Sequence, residues 1–570
     1  MPRLFTVLAP FLLAPAVIMG APQSRAETSV SGAYLAARHA SGGSDYSSAA
    51  TYYAQALLSD PANPLLQESA LIAYLGTADF DRAAVIAREM GAAPDGSQIA
   101  ALVLLAERGR TGDFDGVLSL LKEGINVGPL VGVLAEAWAE LGRGHMSDAV
   151  RSFDRLSKMR GLEAFGLYHK ALALASVGDF EGADQIFSGE AGRPMRATRR
   201  GVQAHVQVLS QLERNADALA LLDAAFAVDL DPALSDIRAR LVAGERLPFT
   251  MVGSAVDGLA ETFYTVAGAL NSETPDAYTL VYARLGEYLR PGLVDAILMT
   301  AAILEQQEQF DLATAAYARI PRDDPAFHAA ELGRADALVA ADRTEAAIEV
   351  LEQLTRSHPD LPGVWSALGD TLRREERYGE AARAYDKAIS LFDTPEAAQW
   401  FLFYARGIAH ERTNAWDKAE SDLRTALRLE PEQPQVLNYL GYSYVEKQEN
   451  LTEALTMIER AVAARPEDGY IIDSLGWALF RLGRYEESVV QMERAVERMP
   501  ADSLVNDHLG DVYWAVGRAR EAAFQWRRAL SFGPETEKDA VRIRRKLEVG
   551  LDAVLAEEGT APLKAVLNGN

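Results

Sequence analysis

The chain has 570 residues, 49% hydrophobic and 24% charged, a composition that allows a large core and disfavours disorder. Acidic residues outnumber basic ones, 81 to 56, for a formal charge of −25. This argues against nucleic acid as a partner, because phosphate binding needs clustered cations, and it serves solubility. Cysteine is absent, which excludes disulfides, thiolate metal sites, cysteine nucleophiles and a lipid-accepting cysteine.

Arg3 precedes an apolar stretch from Leu4 to Gly20, and Ser24-Arg25-Ala26 places small residues before a cleavage point. The reading is a signal peptide over residues 1–26, cut between Ala26 and Glu27, with export to the periplasm and no lipid anchor. Pro10 and Pro15 disfavour a continuous membrane span there. No later segment approaches a transmembrane length of unbroken apolar residues.

Residues 27–232 keep an amphipathic helical period. Ala49, Tyr53, Ala56 and Pro61 suit the second helix of a pair that starts near Val30. Asp79-Phe80, Asp113-Phe114 and Asp179-Phe180 mark equivalent turns between helices, and Ala83, Ala149 with Phe153 and Ala183 with Phe187 continue the pattern. Residues 233–259 interrupt it with Arg246-Leu247-Pro248-Phe249-Thr250, which predicts an irregular connection and the hinge or sub-domain boundary. A middle helical array follows over 260–361.

Residues 362–534 carry the plainest repeat. Pro431, Pro466, Pro500 and Pro534 recur at about 34 residues, the period of helix-turn-helix arrays. Gly407, Gly441, Gly476 and Gly510 keep the same beat, as do Ala426, Ala461, Ala495 and Ala529. Small residues let two helices approach closely, large ones such as Tyr444, Tyr513 and Trp526 fill the space between them, and proline ends each unit. The unit from Pro434 holds one extra residue before Ala454. Residues 535–558 read as a charged capping helix bearing Arg542, Arg544, Arg545 and Lys546, and residues 559–570 as a frayed tail.

Trp365, Leu368, Gly369, Ala381, Tyr385 and Ala388 resemble the tetratricopeptide repeat (TPR) pattern, and the units from Trp400, Pro434, Gly469 and Ser503 are similar to it as well. The resemblance implies an all-α TPR solenoid, a right-handed superhelix of roughly fourteen antiparallel helix pairs that binds other proteins.

No catalytic constellation emerges. None of the eight histidines sits in an HExxH frame or at metal-ligand spacing from another histidine, and there is no P-loop, dinucleotide fingerprint or GxSxG elbow. No enzyme activity, cofactor or metal is expected. Asp507 and Asp511, four apart, could form an acid pair on one helix face, but no third ligand is evident and a solvated or groove-lining acidic face is the better reading.

First helices of TPR units line the ligand groove, which assigns Asn438, Tyr442, Asp473, Trp477, Phe480, Asp507, Asp511 and Trp514 to it, with Tyr404, Asp370 and Arg373 further back. The expected surface is aromatic and acidic, suited to an extended or helical protein segment. Trp477, Phe480 and Trp514 equally suit the core between repeats. The acidic positions would repel an acidic C-terminus of the kind that basic TPR grooves clamp.

The runs Leu437-Asn438-Tyr439-Leu440-Gly441-Tyr442, Asp473-Ser474-Leu475-Gly476-Trp477 and Asp507-His508-Leu509-Gly510-Asp511 resemble a family of Gram-negative envelope TPR proteins that act as adaptor partners of a periplasmic carboxy-terminal processing protease. The resemblance covers mainly residues from Pro362 onward. It implies a scaffold that brings envelope substrates, such as peptidoglycan hydrolases, to that protease, although no lipid-accepting cysteine exists here. The alternatives are an envelope assembly factor for polysaccharide export or outer-membrane biogenesis, and an enzyme with an unrecognised carboxylate site.

Overall fold

The computed structural model describes residues 30–560 and 563, apart from 92, 191–194, 196–197, 227–230 and 272–276. The expected cleavage point between Ala26 and Glu27 lies outside the described residues. The described residues form 31 α-helices and no strand. None of these helices is long and apolar enough to cross a membrane.

Six helix pairs come first: α1–α2 (Val30–Gly42, Tyr46–Leu57), α3–α4 (Pro64–Gly76, Phe80–Met90), α5–α6 (Gln98–Arg110, Phe114–Lys122), α7–α8 (Pro129–Gly142, Met146–Leu156), α9–α10 (Glu163–Ser176, Phe180–Ser188) and α11–α12 (Arg199–Gln211, Asn215–Phe226). A single helix α13 (Pro232–Val242) and the pair α14–α15 (Ala255–Asn271, Ala277–Leu289) follow. Seven further pairs are α16–α17 (Val294–Gln306, Phe310–Tyr317), α18–α19 (Phe327–Ala340, Thr344–Ser357), α20–α21 (Pro362–Arg374, Tyr378–Ile389), α22–α23 (Trp400–Arg412, Trp416–Leu429), α24–α25 (Pro434–Lys447, Leu451–Ala464), α26–α27 (Gly469–Arg481, Tyr485–Arg498) and α28–α29 (Ser503–Ala515, Ala519–Ser531). The chain closes with α30 (Glu537–Val549) and α31 (Leu551–Glu557).

Local chemistry sets these boundaries. Asp45, Asp79, Asp113 and Asp179 each accept the backbone N–H three residues on and so cap the second helix of a pair. The turn inside a pair needs one left-handed residue, supplied by Gly483 (φ 78°) and Gly517 (φ 80°) in the last two repeats. In the unit from Pro434 two residues take that conformation, Gln448 (φ 56°) and Asn450 (φ 48°), which accommodates the extra residue read in the sequence.

The chain divides into two compact units, residues 1–333 and 334–570, with the boundary inside α18. The sequence places a boundary at 233–259 instead. There, Pro232–Val242 is helical, capped by Asp231 with proline in its first turn, and α14 begins at Ala255.

Within residues 334–570 the repeated glycines do what their spacing predicts. Each lies under a large side chain of its partner helix: Gly369 under Tyr385, Gly441 under Ile458, Gly476 under Met492 and Gly510 under Trp526. A Cβ on Gly510 would fall 2.4 Å from the Trp526 ring.

Within residues 1–333 the long pair α14–α15 packs on α3, α5, α7 and α9, the first helices of successive pairs. It therefore covers their free side. Two glycines make the close approach possible: a Cβ on Gly109 would meet Leu259 at 2.7 Å, and one on Gly258 would meet the Trp138 ring at 2.1 Å. Buried hydrogen bonds fix the register. Trp138 Nε1 donates to His169 Nδ1 (3.1 Å), so His169 carries its proton on Nε2 and donates to Thr265 Oγ1 (3.1 Å). Burial pushes the His169 pKa down to about 3, which keeps the ring neutral. Arg284, buried, donates to the Gly76 carbonyl at 3.0 Å. Gly258→Ala is expected to overpack this contact and to destabilise residues 1–333 by about 1–3 kcal/mol in denaturant unfolding. A neutral result would show that α14 is not seated on Trp138.

Candidate partner-binding cleft

In the second unit, first helices α24–α26 and α26–α28 pack side by side. A cavity of about 580 Å³ opens on their free side, with α22 completing the wall. Each helix contributes a stripe at helical spacing: Asn438, Tyr442 and Glu446 lie four apart on α24, and Tyr470, Asp473 and Ser474 lie on α26. Glu411 and Arg412 of α22 and Leu504 of α28 complete the lining, with Tyr439 and Lys447. Tyr470 is 60% exposed and Leu504 52%, and they occupy the same register in successive repeats.

The carboxylates of the cleft are already engaged. Glu411 accepts from the Tyr439 hydroxyl (3.2 Å) and lies 3.6 Å from Arg412. Glu446 accepts from Trp477 Nε1 (2.6 Å), with Arg481 at 3.8 Å. Asp473 accepts from His508 Nδ1 at 3.0 and 3.1 Å. Burial pushes the Tyr442 hydroxyl pKa up, and the charges of Glu446 and Asp473 push it further, so it stays protonated.

Of the groove residues read from the sequence, Asn438, Tyr442 and Asp473 line this cleft. The other five, Trp477, Phe480, Asp507, Asp511 and Trp514, are turned to internal use. Trp477 is 8% exposed and stacks on Phe480 (4.8 Å) and His508 (4.1 Å), which makes it core between repeats. The expected solvated acids Asp507 and Asp511 are buried instead, because α30 lies over them and inserts the fully buried Lys546. Its Nζ lies 2.8 and 2.9 Å from the Asp507 oxygens and 2.8 Å from Asp511, which also accepts from Trp526 Nε1 at 2.9 Å. Trp514 donates to Asp552 at 2.9 Å and covers Gly550, where a Cβ would fall 2.4 Å from its ring. Further back, Tyr404 packs edge-on against Tyr439 at 5.9 Å, whereas Asp370 and Arg373 bond to Tyr385 within their own helix pair.

The sequence reading missed Tyr439, Tyr470, Leu504, Glu446, Lys447, Glu411 and Arg412. The equivalent positions of Tyr470 and Leu504, one repeat apart and apolar at a helix start, were a usable signal.

Two other places draw side chains together. A cavity of about 430 Å³ in the first unit is lined by Tyr168, Arg200, Glu261 and Tyr264 among others. Its polar groups satisfy one another: Arg200 reaches both Glu261 oxygens at 2.9 and 2.6 Å, Tyr168 donates to Glu261 at 2.8 Å, and Arg200 also bonds Asp295. Glu140, His145 and Asp148 bring possible ligand atoms within 4.8 Å of one another, a grouping unseen in the sequence. Arg143 and Arg151 ion-pair with those two carboxylates.

Comparison with known proteins places the repeat. The tetratricopeptide repeat models match residues 304–370, 366–406, 404–469 and 446–503. The chain is 28% identical over 188 residues to the TPR repeat-containing protein PA4667 of Pseudomonas aeruginosa; the match covers 33% of this chain and 31% of that protein. Among solved structures, the APC/C hetero-tetramer Cut9-Hcn1 aligns over 92% of this chain and 96% of its own, at 14% identity and TM-score 0.38. A tetratricopeptide repeat protein from Parabacteroides merdae aligns over 45% of this chain and 98% of its own, at 13% identity and TM-score 0.38. The repeat matches and the helix packing together identify the described chain as an all-helical array that contains tetratricopeptide repeats.

The buried cluster generates two expectations. Lys546→Met removes the cation held between buried Asp507 and Asp511 and leaves only Arg542, 3.8 Å from Asp511, beside them; breaking such a buried pair costs about 3–5 kcal/mol. Amide exchange in residues 503–557 is expected to accelerate, and adding Asp507→Asn with Asp511→Asn is expected to restore protection. Unchanged exchange in Lys546→Met would contradict the assignment. For His508, burial is the largest influence and lowers the pKa, but the charge and hydrogen bond of Asp473, with Asp507 and Asp511, outweigh it and raise the value. A raised histidine pKa stabilises the fold fully below the unfolded value of about 6.5 and loses that contribution as pH rises through the folded value. The melting temperature of the C-terminal repeats is expected to fall over that interval, and His508→Gln to flatten the profile.

Proposed function

We propose that this chain is a non-catalytic scaffold that captures a protein partner in the cleft across α22, α24, α26 and α28. One observation carries the reading. The first helices α3, α5, α7 and α9 are covered by α14–α15, and the last first helix, α28, is covered by α30, whereas the cleft keeps Tyr470 and Leu504 exposed. Exposed aromatic and aliphatic side chains beside a preformed cavity are what protein recognition uses. Tetratricopeptide repeats as a class act by holding other proteins.

The Arg3 to Ala26 segment supports export to the periplasm, and the resemblance of the Leu437–Asp511 motifs to envelope adaptors supports delivery of envelope substrates to a processing protease. Capture from periplasm with the full chain tests both levels. A protease or a peptidoglycan hydrolase in the eluate is the expected result, and export-machinery subunits in its place would move the assignment to an assembly factor. The double variant Tyr470→Ala with Leu504→Ser is expected to lower capture by tenfold or more, about 1.4 kcal/mol or more, with an unchanged melting temperature. Full capture by that variant would remove the cleft from the account.

A further inference from the structure

The cleft has a charge pattern that its sequence conceals. Three carboxylates line it, Glu411, Glu446 and Asp473, which alone would invite a basic ligand. Each one is engaged by a neighbour: Arg412 beside Glu411, Arg481 beside Glu446 and His508 hydrogen-bonded to Asp473. Lys447, also in the lining, sits 4.7 Å from the Trp416 ring centroid and adds a further positive charge. Opposite charges this close cancel at any distance beyond a few ångströms, so the cavity presents little net field to a ligand.

What the cleft leaves unsatisfied is of another kind. The Asn438 amide oxygen is buried and has no hydrogen-bond partner. That oxygen has no accessible surface, so it is no contact point for a ligand in the cleft. At the mouth, Tyr470 and Leu504 offer exposed apolar surface on adjacent first helices. Ser443 and Ser474 hydroxyls bond back to their own helices, at Tyr439 O (2.8 Å) and Tyr470 O (3.0 Å).

We infer that the segment captured here is an uncharged, apolar stretch of protein that lays its side chains on Tyr470 and Leu504. The inference rests on the reading of the cleft as a protein-capture site. The partner class is thereby narrowed to neutral segments, against the basic segment that the acidic composition would favour.

The test selects short random peptides, displayed as a library, on the full chain and counter-selects on Tyr470→Ala with Leu504→Ser. Recovered peptides that need those two residues are expected to be apolar, with no excess of Lys or Arg over the starting library. Their affinity is expected to change less than about threefold between about 0.05 and about 0.5 M salt. Cleft-dependent peptides rich in Lys or Arg with steep salt dependence overturn the inference and leave protein capture standing. A selection that yields no cleft-dependent peptide overturns protein capture itself.

Discussion

A stack of helix pairs buries only the sides that face its neighbours, so the free side of its first helices must be covered, filled or wet. This constraint organises the molecule. In residues 1–333 the covering is done by α14–α15, held by the meeting of Gly258 with Trp138 and by hydrogen bonds from His169, Tyr168 and Arg284. At the C-terminal end it is done by α30, held by Lys546 between Asp507 and Asp511. Both devices use the chain's own helices where a partner could otherwise sit, and what they leave open in the second unit is the cleft from α22 to α28.

The period, the helix pairing and the role of the glycines were legible because they are local. Leu475-Gly476 and Leu509-Gly510 recur in register, and the structure places Met492 and Trp526 over those glycines. The fate of the acidic positions was not legible. Asp507 and Asp511 lie four residues apart on one helix face, which reads as a solvated or ligand-facing pair. Lys546, which neutralises them, lies more than 30 residues away, and sequence alone shows it as one cation among several in a charged helix. Trp477 stood between two readings for the same reason: its burial depends on His508 of the next repeat and Glu446 of the one before. The irregular connection read at Arg246 to Thr250 is present, since no helix forms between Val242 and Ala255; what the sequence did not show is that Gly258 and Leu259, just beyond it, pack on Trp138 and Gly109, far earlier in the chain.

The polar groups along the first helices of the last repeats are linked. Asp473 belongs to the cleft wall and also to His508, and His508 in turn lies in the field of Asp507 and Asp511 under α30. Burial also pushes the Asp511 carboxyl up from its ordinary range, with Lys546 opposing that rise and Asp507 adding to it. Buried ions persist only when paired and hydrogen-bonded, and each of these is. The carboxylates that make the sequence look sticky for cations are therefore consumed internally, and the recognition surface that remains is made of exposed tyrosine and leucine.

The most direct test of where the chain holds its partner is photo-crosslinking in the native setting. A photoreactive amino acid replaces Tyr470 in the cleft or, in a second version, Leu65, which is 76% exposed on α3 in the first unit. Capture in the cleft predicts a discrete crosslinked protein from position 470 and none of that protein from position 65. The same protein crosslinked from position 65 and absent at 470 would contradict it.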